Sequence, residues 1–129
     1  MEQAELKAGL VGSGFSARFH YESLMRVHGA NVSVGGVFSP TKEKRATYAA
    51  ERGIPERSSL GELIDSCDVV HVCSPPKTHE EIAVAALAAG KSVIIEKPFT
   101  GYFGDGGPDF DGRRFPREEG LAGAMDRVC

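Results

Sequence analysis

At 129 residues, 41% of them hydrophobic and 26% charged, the chain suits one soluble globular domain with a real core. Its formal net charge of −3 and pI of about 5.8 exclude nucleic acid or an acidic membrane as principal partner. No apolar run reaches spanning length, the opening Met-Glu-Gln-Ala-Glu is not a signal peptide, and a cytoplasmic location is expected.

The stretch from Gly9 to Ala17 organises the rest. Leu6 to Val11 reads as a buried strand, which breaks at Gly12-Ser13-Gly14, and helix-compatible residues follow from Ser16. The spacing is G-x-G-x-x-A, a dinucleotide fingerprint with Ala in its third small position. Gly12 permits the tight turn out of the strand. Gly14, without a Cβ, lets a pyrophosphate approach the backbone, and Ala17 lets the helix pack close on the sheet. The helix start then offers N–H groups and the positive end of its dipole to phosphate.

That helix is expected to run from Ser16 to about Val27, with Phe19, Leu24 and Val27 inward and His28-Gly29 ending it. His20 and His28 read as solvated or capping residues. Asn31 to Phe38 is a Val-rich strand interrupted by Gly35-Gly36. A helix follows over Lys42 to Arg52, stopped by Gly53 and capped by Ser39, with Pro40 at its first position, or by Thr41. Ile54-Pro55 could add a brief parallel strand. Ser59-Leu60-Gly61-Glu62 is a capping box before a short helix, Leu60 to Ser66.

Asp68 to Ser74 is the next strand, with His71 a core or sheet-face histidine inside it. Cys67 stands just before this strand and Cys73 near its end. Together with Cys129 the cysteines are odd in number and lack metal-ligand spacing, so the first two read as reduced core thiols and no metal is expected. Thr78-His79-Glu80-Glu81 is a second capping box, opening a helix to Ala89 that is apolar nearly all round and should be buried. Gly90 stops it, and Ser92 to Ile95 is a strand leading to Glu96-Lys97-Pro98.

Alternating strands and helices of these lengths predict an α/β fold: a Rossmann-like, doubly wound parallel sheet in three α/β/α layers. Ligands bind such sheets beyond the carboxyl ends of the strands, where the turns after Val11, Phe38 and Ser74 and the Glu96-Lys97-Pro98 turn all fall. From Gly101 the composition turns Gly- and Asp-rich and predicts a long loop to Phe115. It lacks the spacing of a calcium loop. Pro116 to Val128 predicts a last helix.

The fingerprint at residues 12–17, the segment Val-His-Val-Cys-Ser-Pro-Pro-Lys-Thr-His at 70–79, the run Ala-Leu-Ala-Ala-Gly-Lys-Ser-Val at 86–93 and Glu96-Lys97-Pro98 occur in one order. That series resembles the N-terminal domain of the glucose–fructose oxidoreductase and inositol dehydrogenase family (Gfo/Idh/MocA), from about Leu6 to Phe99. The loop 101–115 looks like an insertion. The resemblance implies an NAD(P)-dependent oxidoreductase acting on sugars, cyclitols or related polyols. In that family a second, C-terminal domain supplies substrate contacts, usually a catalytic His, and oligomer contacts. That domain is missing here, so the chain reads as a fragment covering the cofactor half, catalytically inert alone. Exposed apolar surface then makes self-association an expectation.

The resemblance makes Lys97 the catalytic residue. Hydride transfer leaves partial negative charge on the substrate oxygen, and a fixed ammonium stabilises it and can share the proton. Pro98 restricts Lys97 to extended geometry, and a cis peptide is expected there. Glu96 could position Lys97 or contact the cofactor ribose. Ser74, Pro75 and His79 match the family's cofactor-lining turn, with His79 expected to face the site. Gly12, Gly14, Phe15 and Ser16 form the diphosphate turn. Where NAD enzymes place Asp or Glu after the second strand, this chain has Ser39, followed by Thr41, Lys42 and Arg45. Hydroxyl donors and cations suit a 2′-phosphate, so NADP is preferred over NAD. A second reading is a non-catalytic NAD(P)-binding regulatory or sensor module, which would have no need of Lys97.

Overall fold

A computed structural model describes residues 4–97. The elements are β1 (Leu6–Val11), α1 (Phe15–Leu24), β2 (Val32–Phe38), α2 (Lys42–Arg52), α3 (Leu60–Asp65), β3 (Val69–Val72), a 3₁₀ turn (Pro76–Thr78), α4 (His79–Ala88) and β4 (Ser92–Ile95). The strands form a four-stranded parallel sheet in the order β2-β1-β3-β4. The chain winds outward from β1 to β2 and then returns past β1 to β3. The order therefore reverses between β1 and β3, which is where an open α/β sheet leaves a crevice at its carboxyl edge.

Alternation along β1 sends neighbouring side chains to opposite faces. Leu10 joins Ala17, Val37, Tyr48 and Ala49 in a core beneath α1 and α2. Val11 joins Leu63, Ile64, Cys67, Val70, Val72, Ile82 and Ala86 in a second core beneath α3 and α4. These two cores on one sheet are the three-layer arrangement that the strand–helix alternation predicts. Tyr48 ties α2 to α1 by donating its hydroxyl proton to the Ala17 carbonyl at 2.7 Å.

Several local expectations are corrected. α1 ends at Leu24, three residues before Val27, and Phe19 and Val27 are 63% and 42% exposed rather than inward. The inward stripe is instead Ala17, His20, Tyr21 and Leu24, at helical spacings of three, four and seven from Ala17. Ile54-Pro55 contributes no strand of its own. The chain meets β2 in a single bridge, Val37 to Glu56, flanked by bonds from Val37 N to Pro55 O and from Arg57 N to Val37 O.

The capping predictions fare unequally. Ser59 caps α3 by accepting from the Glu62 amide, while the Glu62 carboxylate reaches one residue further back, to the Ser58 amide and hydroxyl. Thr41 occupies the N-cap of α2, but neither its side chain nor that of Ser39 makes the capping bond. Thr78 does not cap α4. Its hydroxyl donates to the Pro75 carbonyl and lies 2.7 Å from Ser74 Oγ, so it braces the 3₁₀ turn.

α4 buries one side only, through His79, Ile82, Ala83, Ala86 and Leu87, and leaves Val84 and Ala88 exposed. Among the described residues β4 is an edge strand, and Ile94 on it is 48% exposed. Cys67 is buried and Cys73 half-buried, both as free thiols. Pro98, the predicted loop, the predicted last helix and Cys129 lie outside the described residues.

Candidate functional site

The carboxyl ends of the four strands gather most of the predicted site residues along one edge. Gly12 leaves β1 at φ +111°, a conformation that side chains rarely adopt, and a Cβ there would stand 2.8 Å from the Cys73 carbonyl oxygen. Its amide donates to the Phe38 carbonyl at 2.8 Å. The turn is thus pressed between the ends of β2 and β3. Gly14 is different: it is exposed, and a Cβ on it would meet no atom within 4 Å. As N-cap of α1 it supplies no side-chain cap, and no acidic residue stands in the first helical turn. An uncapped helix start over open space, with the positive dipole end facing outward, fits a diphosphate.

Ser13 and Ser39 join the β1 turn to the end of β2, with their hydroxyl oxygens 3.1 Å apart. Ser39 is buried, and its carbonyl accepts from Arg45 Nη1 at 3.1 Å. Arg45 is further held by Glu56, at 2.7 Å from Nε, and stacks over Phe38 at 5.8 Å from the ring centroid. Its guanidinium therefore fixes Ser39, the residue the sequence reading assigns to cofactor choice, while Thr41 and Lys42 stand exposed beside it. Phe15 and Ser13 border a groove of about 570 Å³ between α1 and α2, which also meets Arg18, Lys44, Tyr48 and Arg52.

After β3, Ser74 is half-buried and Pro75 exposed. His79, expected to face the crevice, is fully buried, and its Nε2 donates to the Ser74 carbonyl at 2.8 Å. It shapes the turn's backbone from beneath. At the end of β4 the Glu96 amide donates to the Val72 carbonyl, and Lys97 is exposed.

The sequence reading missed His20. From α1 its Nε2 donates to Glu96 Oε1 at 2.7 Å, and its Nδ1 lies 3.0 Å from Nδ1 of His71. The two rings meet edge-on, their centroids 5.3 Å apart. A carboxylate can only accept, so His20 carries its proton on Nε2, and in the neutral state His71 Nδ1–H donates to His20 Nδ1. The signal for this lay in the helical spacing: His20 stands three residues after Ala17, on the face that meets the sheet.

The electrostatics follow from this packing. The His20 hydrogen bond holds Glu96 below the ordinary carboxylate range. Burial, with His20 behind it, pushes His71 down to about 4. Burial first and the Glu96 charge second push the Cys73 thiol up to about 12. Among the described residues no His, Cys, Asp and Glu gather as a metal site, and no helix is long and apolar enough to cross a membrane.

Comparison with known proteins agrees with this geometry. Residues 6–106 match the family model for the Gfo/Idh/MocA oxidoreductases, described by its NAD-binding Rossmann fold. UDP-N-acetylglucosamine 3-dehydrogenase from Acidithiobacillus ferrooxidans is 34% identical over 95 residues, covering 74% of this chain and 29% of that protein. Inositol 2-dehydrogenase from Leifsonia xyli is 34% identical over 99 residues, again covering 74% of this chain and 29% of that protein. The solved structure of the Acidithiobacillus enzyme superposes with a TM-score of 0.78 at 26% identity, over 98% of this chain and 35% of that one. GenD2 from gentamicin A biosynthesis, in complex with NAD, gives 0.78 at 27% identity, over 99% of this chain and 34% of that one. The chain thus spans about a third of the length of these relatives. It belongs to the Gfo/Idh/MocA oxidoreductase family, through that family's NAD(P)-binding Rossmann domain.

Proposed function

We propose that the chain is the cofactor-holding part of an NADP-preferring oxidoreductase that moves hydride between nicotinamide and a carbon bearing a hydroxyl on a sugar, cyclitol or related polyol. The observation that carries this reading is the open, uncapped start of α1 behind Gly12 and Gly14. The printed activities of the relatives, on UDP-N-acetylglucosamine and inositol, support the substrate class.

The bound nicotinamide supplies the hydride acceptor and donor. The backbone at Gly12 to Ser16 holds the diphosphate through N–H groups and the helix dipole. Ser39, Thr41 and Lys42 offer hydroxyls and a cation to a 2′-phosphate that an acidic residue would repel, and Arg45 keeps Ser39 in place. Ser74 and Pro75 line the crevice, with His79 fixing their turn. Lys97 presents its ammonium to the substrate oxygen as charge develops there, and shares its proton. Glu96 and Pro98 orient that lysine. The walls that select a substrate are not among these residues, so the 129-residue chain alone turns over neither inositol nor glucose.

Calorimetric titration of the chain with NADPH and with NADH tests the proposal. Tighter NADPH is expected. Tighter NADH overturns the preference, and binding of neither overturns the cofactor role.

A further inference from the structure

We infer that His20 is a positioning residue for the ring end of the cofactor crevice. Seated between Glu96 and His71, it fixes the Glu96 carboxylate beside Lys97 and ties the helix that receives the diphosphate to the strand end that carries the lysine. This rests on the cofactor reading given above and adds to it a second function for α1.

The geometry is a chain of three side chains from three elements. His20 belongs to α1, His71 to β3, and Glu96 stands at the exit of β4, so the bonds span 51 and 76 residues of sequence. Its inner end is anchored in the core, since His71 is buried with only 7% of its surface exposed. Its outer end reaches the crevice, where the Glu96 side chain keeps 33% of its surface against 13% for His20. A polar chain buried at one end must have every member satisfied, which leaves each ring a single arrangement. His20 has two ring nitrogens and both are used, one as donor and one as acceptor. No other neutral side chain makes both bonds with the same rigidity.

The consequence falls on Lys97. A carboxylate next to an ammonium in sequence is its nearest counter-ion. With Oε1 engaged by His20, the Glu96 carboxylate is held in one place, close enough to accept from the Lys97 amide and to feel the Lys97 charge, so the ammonium has a fixed counter-ion from which to meet the reacting oxygen. Because α1 begins at the diphosphate turn, any movement of the helix on phosphate binding is carried through His20 to Glu96. The charged groups facing the array are Glu96 and Lys97 at its outer end, and the Cys73 thiol lies near enough to feel the Glu96 charge.

The test uses the 129-residue chain with two probes, NADPH and 2′-phospho-ADP-ribose, the latter carrying every part of the cofactor except the nicotinamide. His20→Ala is expected to weaken NADPH about tenfold, the scale of one lost hydrogen bond to a charged group. It should leave 2′-phospho-ADP-ribose within about twofold, inside the scatter of such measurements. His20→Gln, which keeps a donor for Glu96 and an acceptor for His71, should restore most of the loss. Nitrogen-15 spectra of the imidazoles at neutral pH should show His20 protonated on Nε2 and His71 on Nδ1. Equal loss of both ligands in His20→Ala, with no recovery in His20→Gln, means that His20 only packs α1 and overturns the inference. So does a His71 ring protonated on Nε2 alone. If the unaltered chain binds neither probe, the cofactor reading itself falls. If it binds both, and His20→Ala and His20→Gln match it, this inference alone falls.

Discussion

Gly12 passes so close to Cys73 that a methyl group on it would sit 2.8 Å from the Cys73 carbonyl oxygen, and that contact locks the β1 turn against the exit of β3. Gly14, two residues on, touches nothing at the equivalent point. The fingerprint therefore contains one glycine required by the fold and one that the packing does not require, which the proposed diphosphate site would account for. Gly12→Ala is expected to destabilise the chain by roughly 2–4 kcal/mol, from positive-φ strain plus an overpacked contact with backbone that cannot yield. Gly14→Ala, at φ −98° and at the N-cap of α1, should cost at most about 1 kcal/mol, the preference of that position for Gly over Ala, while weakening NADPH binding. Urea unfolding and calorimetry on both variants check this; a Gly14→Ala variant as destabilised as Gly12→Ala would contradict it.

His71 makes stability depend on pH. Its folded value is about 4, and an unfolded histidine titrates near 6.5. Between those values the unfolded chain binds the extra proton, so the contribution is fully present above the unfolded value and is lost as pH falls through the folded one. The effect is at most roughly 3 kcal/mol. Glu96 adds in the same direction at lower pH, because its folded value is also depressed. Urea midpoints measured at about pH 7 and about pH 5 should differ for the unaltered chain and differ much less for His71→Phe. An unchanged difference in the variant would remove His71 as the cause.

The backbone of this fold was legible because single residues compel it. Gly12 and Ala17 announce the turn and the close-packed helix, Gly53 and Gly90 stop α2 and α4, and Ser92 to Ile95 is a strand to the residue. What was not legible was the pairing of polar side chains across the sheet. Phe19 and Val27 were expected inward because they are apolar, yet helical phase turns them out and brings His20 in. Thr78 has the residue type and spacing of a cap, but its hydroxyl is engaged by the Pro75 carbonyl and makes no capping bond to α4. His79 shows the same limit: its place at the start of α4 was read correctly, but not that its ring lies wholly beneath the turn.

In the proposed reading cofactor choice turns on Ser39, whose hydroxyl meets Ser13 and whose carbonyl is held by Arg45. Ser39→Asp places a carboxylate where a 2′-phosphate would lie and where a ribose diol could be bound instead. NADPH affinity should fall and NADH affinity rise, reversing their order in paired titrations. Arg45→Ala separates a strut from a phosphate ligand. Because its guanidinium is already engaged by Glu56 and Ser39, the variant should lose stability by about 1 kcal/mol, as for one partly buried charge-assisted pair. NADPH binding should weaken through a loosened Ser39. A variant of unchanged stability and sharply reduced NADPH affinity would instead make Arg45 a direct ligand.

Lys97 offers a test that needs no substrate. The oxidised nicotinamide ring is a cation and the reduced ring is neutral, so an ammonium beside the ring disfavours the oxidised form. Lys97 is exposed, and the surrounding water holds this repulsion to a factor of about five or less for charges about 4 Å apart. Lys97→Met should therefore shift the ratio of NADP⁺ to NADPH affinity toward NADP⁺ by a few-fold, with the melting temperature unchanged because no packing is lost. Added salt should raise the same ratio in the unaltered chain, by screening the repulsion, and leave it flat in the variant, since only a charge–charge interaction is screened. An unchanged ratio in Lys97→Met would place the ammonium away from the ring and remove it from the hydride-transfer step.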